Sequence, residues 1–168
     1  MSTINKQDLI NNIIKLLPDF PVDETKLLVE IEGWEYEDVV KSILQFSGCF
    51  NNEYRTNILC LEGVLEYHAD SLPAFTPDGF HCMLKYYLLY SINRPLSDVS
   101  DYVVFHLSGI RKNSKYWQDR LKVFSVDEKE IIIYFLGYMK NQGEFVKFSD
   151  TIMHGVRVWQ EEIGSDSN

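Results

Sequence analysis

Residues 76–92 read TPDGFHCMLKYYLLYSI, and this stretch decides the fold. Thr76 offers the hydroxyl oxygen of a helix N-cap, Pro77 suits the first helical position, and Asp78 favours the positive end of the helix dipole. Apolar side chains then recur every three or four residues and also cover much of the opposite side, which is typical of a helix surrounded by others. The stretch therefore predicts a central buried helix at about 77–92.

A second helix of the same kind is predicted further along the chain. Ser125 and Glu128 have the spacing of a capping box, in which each side chain satisfies the other residue's free backbone N–H. Apolar residues at helical spacing follow: Ile131, Ile132, Phe135, Leu136 and Met139. We predict a second central buried helix at about 126–141.

The rest of the chain shows the same kind of helix start and stop signals. Strand signals are thin, because no Asn-Gly or Asp-Gly turn stands between two alternating apolar segments. We therefore predict an all-α, single-domain bundle of about seven or eight helices over residues 1–163, with a disordered tail at 164–168. Around the two central helices, longer helices are predicted at about 3–17, 52–70, 97–108 and 144–162, and short ones at about 23–33 and 114–123.

Charge and composition restrict the partners that the chain can have. The 168 residues are 45% hydrophobic, which is enough for one substantial core. Acidic residues outnumber basic ones 25 to 16, and the formal net charge is −9. Affinity for nucleic acid depends on clustered Lys and Arg. The sequence therefore predicts no direct binding to nucleic acid and suits a basic protein partner.

Location is also predicted from composition. The longest apolar stretches, such as residues 131–136, are far shorter than the ~20 residues that cross a bilayer. The first residues are polar where a secretory signal has a basic start and an apolar run. Cys49, Cys60 and Cys82 are odd in number and lack C-x-x-C spacing, which fits buried reduced thiols. We expect a cytoplasmic protein without a membrane segment.

The middle of the chain resembles a known family. Residues 75–80, FTPDGF, followed by Leu84 and Tyr87-Leu88, resemble the Leu-Thr-Pro-Glu-Ala-Phe-x-Tyr-Tyr-Leu-Pro signature of an uncharacterised family of small, acidic bacterial proteins. The matched stretch runs from Phe75 to Leu88. Residues 65–72 look like the segment that precedes this signature, and residues 124–128 with Phe135-Leu136 look like its downstream element. The similarity covers roughly residues 55 to 140.

The chain departs from the family's signature in its centre. Cys82 and Met83 replace a tyrosine pair, and Lys85 stands where the family has proline. A role that depends on those aromatic residues would not carry over. The family brings no established activity, so the resemblance implies a fold and a bacterial origin and leaves the function open.

Charge segregation is the feature that most invites a functional interpretation. Between Asp19 and Asp38 there are eight acids and a single base, Lys26. Aromatic anchors surrounded by charge are typical of protein interfaces and speed association with a charged partner. The predicted partner-binding residues are Glu30, Glu32, Trp34, Glu35, Tyr36, Glu37 and Asp38. The alternative is a solvated helix face with Trp34 in the core.

A basic stretch of opposite sign follows the middle of the chain. Its members are Arg111, Lys112, Lys115, Arg120 and Lys122, interrupted by Asp119. We interpret it as a solvated loop. Binding of an anion, or pairing with the acidic segment of a second copy in a homo-oligomer, is the alternative.

Catalytic signatures are missing from the sequence. The four histidines form no H-E-x-x-H pattern, and no glycine-rich phosphate-binding motif occurs. The sequence therefore predicts no metal, no cofactor and no catalytic residue. The competing hypothesis is a small-molecule enzyme or sensor with a pocket near His68, His81 and Cys82, in which an imidazolium would lower the pKa of the thiol.

These observations lead to one functional hypothesis. We expect a non-enzymatic protein-binding protein, most specifically a bacterial immunity protein that neutralises a cognate basic toxin domain. The acidic, aromatic-containing segment between Asp19 and Asp38 motivates it.

Overall fold

The computed structural model describes residues 5–19, 63, 65–66, 69–111 and 113–165. These residues form six α-helices and two short 3-10 helices and contain no strand, which confirms the predicted all-α class. The α-helices are α1 (Lys6–Leu16), α2 (Pro77–Asn93), α3 (Asp98–Ser108), α4 (Lys115–Leu121), α5 (Val126–Met139) and α6 (Ser149–Ser165). The 3-10 helices are η1 (Leu72–Ala74) and η2 (Gly143–Phe148).

The number of α-helices in the described ranges is six, where the sequence predicts seven or eight for the whole chain. The helix predicted at 23–33 and most of the one predicted at 52–70 lie outside the described residues.

The helix predicted at 77–92 is α2, and its start follows the predicted capping chemistry. Thr76 Oγ1 accepts a hydrogen bond from the Gly79 N–H at 3.1 Å, and Pro77 occupies the first turn. Twelve of the seventeen residues of α2 are buried. The helix packs against α1, α3, α4 and η1, so apolar side chains are needed on almost all of its sides.

The second central helix, α5, begins with the predicted capping box. Ser125 Oγ accepts from the Glu128 N–H, and Glu128 Oε2 accepts from the Ser125 N–H at 2.7 Å. The helix packs against α1, α3 and α6. It ends at Met139, two residues before the predicted end. Since α1 and α3 each contact both central helices, one apolar core runs through all six α-helices.

The last predicted helix, at 144–162, begins differently from the prediction. Residues 143–148 wind as a 3-10 helix, and Gly143 at its start has a φ of +46°, in the left-handed region. A 3-10 helix has about 3.0 residues per turn instead of 3.6, so the side chains at this end point in other directions than in an α-helix. Phe145 is buried, whereas Phe148, three residues later, is 42% exposed.

The same helix also ends later than predicted. The predicted disordered tail starts at Gly164, but α6 continues to Ser165. Ile163 packs against the core and holds the last turn in place. Residues 166–168 lie outside the described part of the chain.

A buried lysine joins α1 to α2. Lys85 is 6% exposed, and its Nζ donates to the carbonyl oxygens of Ile14 at 3.0 Å and Leu17 at 3.2 Å. Carbonyls at the C-terminal end of a helix have no partner within the helix, so an ammonium group there satisfies them and matches the negative end of the dipole. Lys85 therefore fixes α1 against the core.

None of the helices in the described ranges has the length and apolar content needed to cross a membrane.

Candidate functional site

A cavity of about 550 Å³ lies between η1 and α3. Its lining residues are Leu72 and Pro73 from η1, and Asp98, Asp101, Tyr102, Phe105 and His106 from α3. The residues from α3 occupy positions i, i+3, i+4, i+7 and i+8, so they share one face of the helix. The opposite face of α3 carries Val99, Val103 and Leu107, which are fully buried. One helix therefore supplies both the core and the cavity wall.

The start of α3 concentrates negative charge beside this cavity. Asp98 and Asp101 lie in its first turn and are exposed. Partial burial, and then the charges of Asp98 and Glu144, raise the pKa of Asp101 above its ordinary value. Within the described part of the chain, neither aspartate forms an ion pair. Asp101 therefore lies near two further carboxylates, of which Glu144 is paired with Lys147 at 3.3 Å.

Aromatic side chains form the neighbouring surface. Tyr102 is 52% exposed and Phe105 is 37% exposed. The Phe105 ring contacts the exposed Phe148 of η2 edge-on, with 5.0 Å between the ring centroids. We call the surface formed by Asp98, Asp101, Tyr102, Phe105, Glu144 and Phe148 the acidic-aromatic face. Exposed apolar patches that are rimmed by polar residues commonly mark interaction sites.

His106 lines the inner part of the cavity. Its Nε2 lies 3.0 Å from the Tyr116 hydroxyl, and its ring lies 4.8 Å from that of Trp117 between centroids. Burial, and then the charge of Arg120, lower the pKa of His106 to about 4. Burial likewise raises the pKa of Tyr116 to about 12. Both groups are therefore uncharged near neutral pH, and His106 adds no charge to the cavity wall.

Arg120 joins η1 to α4, and for this residue the prediction of a solvated loop is wrong, whereas Arg111, Lys115 and Lys122 are exposed. The residue is 3% exposed, and its guanidinium lies 3.5 Å over the Tyr116 ring. Its terminal nitrogens donate to the carbonyl oxygens of Pro73, Phe75 and Tyr116. Five fixed N–H donors let an arginine satisfy several carbonyls at once. Arg120 thereby holds η1 in place opposite α3.

The predicted partner-binding residues Glu30, Glu32, Trp34, Glu35, Tyr36, Glu37 and Asp38 lie outside the described residues. Asp19, the first acid of that segment, is described. Its Oδ1 accepts a hydrogen bond from Lys85 Nζ at 2.8 Å, so this one carboxylate is neutralised within the molecule. The prediction for residues 30–38 stays a prediction.

The second predicted site, near His68, His81 and Cys82, is only partly described. His68 lies outside the described residues, and neither His81 nor Cys82 lines the cavity. His81 Nε2 lies 2.7 Å from Glu128 Oε1, so the imidazole ties α2 to the capping box of α5. It is a contact between helices and includes no thiol.

Cys82 departs from the predicted buried thiol in its exposure and from the competing hypothesis of an activated thiol in its pKa. The thiol was expected to be buried in the core, yet the residue is partly exposed on α2. Burial of the sulfur, and then the charges of Asp78, Asp19 and Glu128, raise the pKa of the thiol. A reactive thiolate needs the opposite shift. Among the described residues, no group of three or more His, Cys, Asp or Glu side chains is placed to hold a metal ion.

Part of the acidic-aromatic face could be predicted from the sequence, because the spacing of positions 98, 101, 102 and 105 places them on one face of a helix. The density of acidic residues alone indicates the segment between Asp19 and Asp38 as the binding surface instead. Comparison with protein-family models, with curated protein sequences and with solved structures finds no match for this chain.

Proposed function

We propose that this chain is a non-enzymatic protein-binding protein of the cytoplasm, and specifically an immunity protein that neutralises a basic bacterial toxin domain. The observation that carries the proposal is the acidic-aromatic face, where Tyr102, Phe105 and Phe148 remain exposed beside Asp98, Asp101 and Glu144. The net charge of −9 acts in the same direction over longer distances.

The chemistry of this face suits a protein partner. Aromatic side chains lose little conformational entropy when they are covered, and they supply much of the binding energy of protein interfaces. Phe105 already rests on Phe148 at 5.0 Å, so part of the surface is ordered before a partner arrives. The carboxylates beside the rings favour partners with Lys and Arg and speed their association.

The acidic segment at residues 30–38 belongs to the same proposal. Its seven predicted partner-binding residues would extend the negatively charged surface of one helical domain. Reversal of charge at Glu30, Glu32, Glu35 and Glu37 tests that extension separately from the face on α3.

The main test compares two charge-reversal variants as baits in an extract of the source organism. One variant carries Asp98→Lys and Asp101→Lys. The matched control carries Asp127→Lys and Glu130→Lys, which change the net charge equally and are also two exposed acids, three residues apart, at the start of a helix. We expect a basic protein to be retained by the wild type and the control and lost by the first variant.

The retained protein is then purified for a direct measurement. We expect reversal of Asp98 and Asp101 to weaken its affinity by a factor of about 10 or more, since charged pairs in an interface contribute about 1.5 kcal/mol or more. We also expect the partner alone to arrest bacterial growth, and co-expression of the wild-type chain to restore it. Equal affinity for both variants, or a partner without toxicity, would contradict the proposal.

A further inference from the structure

We propose that the cavity between η1 and α3 binds a guanidinium group, supplied by an arginine side chain of the partner. That the arginine belongs to a protein partner rests on the proposed function. That the cavity recognises a guanidinium rests on the residues that line it.

The charges at the entrance select a cation. Asp98 and Asp101 both line the cavity, whereas Glu144 stands outside the lining and pairs with Lys147 at 3.3 Å. Within the ranges that the structure describes, these two aspartates have no ion-pair partner. A guanidinium beside them would relieve the repulsion and supply donors in the forked geometry that carboxylates accept.

The aromatic wall favours a planar cation over a spherical one. Tyr102 and Phe105 lie on the same helix face as the two aspartates and keep 52% and 37% of their surface exposed. A guanidinium stacks on such rings and is more weakly hydrated than an ammonium group. Leu72 and Pro73 on the opposite wall offer apolar contact to an aliphatic stem.

The inner part of the cavity does not oppose a cation. His106 is neutral near pH 7 because its pKa is lowered to about 4. The charge of Arg120 is close by, but Arg120 does not line the cavity and donates to three backbone carbonyls. The volume of about 550 Å³ lies within the usual range for ligand pockets, so an arginine side chain enters with room for a neighbouring residue.

The test uses N-acetyl-arginine amide as the probe and follows backbone amide shifts by NMR titration of the full chain. The matched probe is N-acetyl-citrulline amide, which keeps the shape and removes the charge. We expect shifts of α3 and η1 amides with the arginine probe, and affinity at least 10 times weaker with the citrulline probe. Equal affinity for the two probes would overturn the inference.

Variants locate the site. Asp98→Asn with Asp101→Asn should weaken binding of the arginine probe at least tenfold, and Tyr102→Leu should weaken it severalfold. Asp127→Asn with Glu130→Gln should leave it within twofold. Circular dichroism and thermal denaturation confirm that each variant is folded. Unchanged affinity in the Asp98 and Asp101 variant would exclude the cavity as the site.

The source of the guanidinium is tested with arginine-containing peptides of the purified partner. Tighter binding of such a peptide than of the single-residue probe supports a partner arginine. Tighter binding of free alkylguanidines instead would point to a small-molecule ligand and overturn the assignment of the source. The probe titration needs no partner, so it can fail while selective retention of the partner succeeds, and the two proposals fail separately.

Discussion

The charge state of His106 depends on the fold. Its imidazole is partly buried between Tyr116, Trp117 and Phe80, and the Arg120 cation lies close by. Burial and then that positive charge lower its pKa from 6.5 to about 4. The unfolded chain therefore binds a proton between pH 6.5 and 4 while the folded chain does not.

This difference predicts a loss of stability in acid. The free energy of unfolding should fall as the pH drops from 6.5 towards 4, by about 2 kcal/mol after an allowance for partial exposure. Urea unfolding at pH 7.0 and 4.5 measures it for the wild type and for His106→Gln, which should lack this part of the loss. His154→Gln, on the exposed side of α6, should behave like the wild type. If the free energy of unfolding fell equally with pH in the wild type and in His106→Gln, the loss of stability would not come from His106.

Two buried cations show what the sequence could not predict at this scale. Arg120 lies in a run of basic residues that looks solvated, and Lys85 lies in an apolar helix without a visible partner. Besides the Asp19 carboxylate for Lys85 and the nearby Tyr116 carbonyl for Arg120, their acceptors are backbone carbonyls 45 to 71 residues away. Backbone carbonyls occur at every position, so no residue type in the sequence marks those distant contacts.

Helices were predictable where their signals are local. Thr76 and Ser125 accept the expected hydrogen bonds from residues three positions later, and Ser97 does the same for Ser100 at the start of α3. The η2 segment was missed because apolar spacing in a short window fits a 3-10 turn and an α-helical turn almost equally. Gly143 was the one signal, as a left-handed residue favours glycine.

Close approach of α3 and α6 predicts an intolerant glycine. A Cβ added at Gly155 would lie 2.5 Å from the Ser108 Cα and 3.2 Å from the Leu107 carbonyl oxygen, and both are backbone atoms that cannot rotate away. Gly155→Ala should therefore destabilise the protein by about 2 kcal/mol or more, although alanine is the better helix former. Thermal or urea unfolding measures the change.

Gly164→Ala is the matched control for this prediction. Gly164 lies in the same helix, and nothing stands within 4 Å of an added Cβ. We expect no loss, and a gain of up to about 0.5 kcal/mol from the higher helix propensity of alanine. Equal effects of the two substitutions would mean that α3 and α6 are not as close as described.

At the scale of the whole molecule, the cavity could not have been predicted from any one segment. Its walls come from η1 and α3, and the residue that fixes η1 comes from α4. The acids and aromatics of α3 could be placed on one face from their spacing, but only the packing of α3 shows which face is exposed. The same packing decides that His106 is neutral.

A single core that includes all six α-helices predicts cooperative unfolding. Lys85→Met keeps an unbranched side chain but removes the ammonium group that holds the end of α1, and should cost about 2 kcal/mol. In a Trp34→Phe background, fluorescence reports Trp117 of α4 and Trp159 of α6, both buried and far along the chain from α1. In Lys85→Met we expect the urea midpoint of this fluorescence transition to fall by about 1 M, together with the midpoint of the circular dichroism transition.

Lys122→Met is the control, because its ion pair with Asp119 at 3.3 Å is exposed and contributes little. We expect both of its transitions to stay within about 0.3 M of the parent protein. A Lys85→Met variant that changed circular dichroism while the tryptophan transition stayed in place would show that α1 docks onto an independently folded remainder. The described helices would then form two cooperative units instead of one.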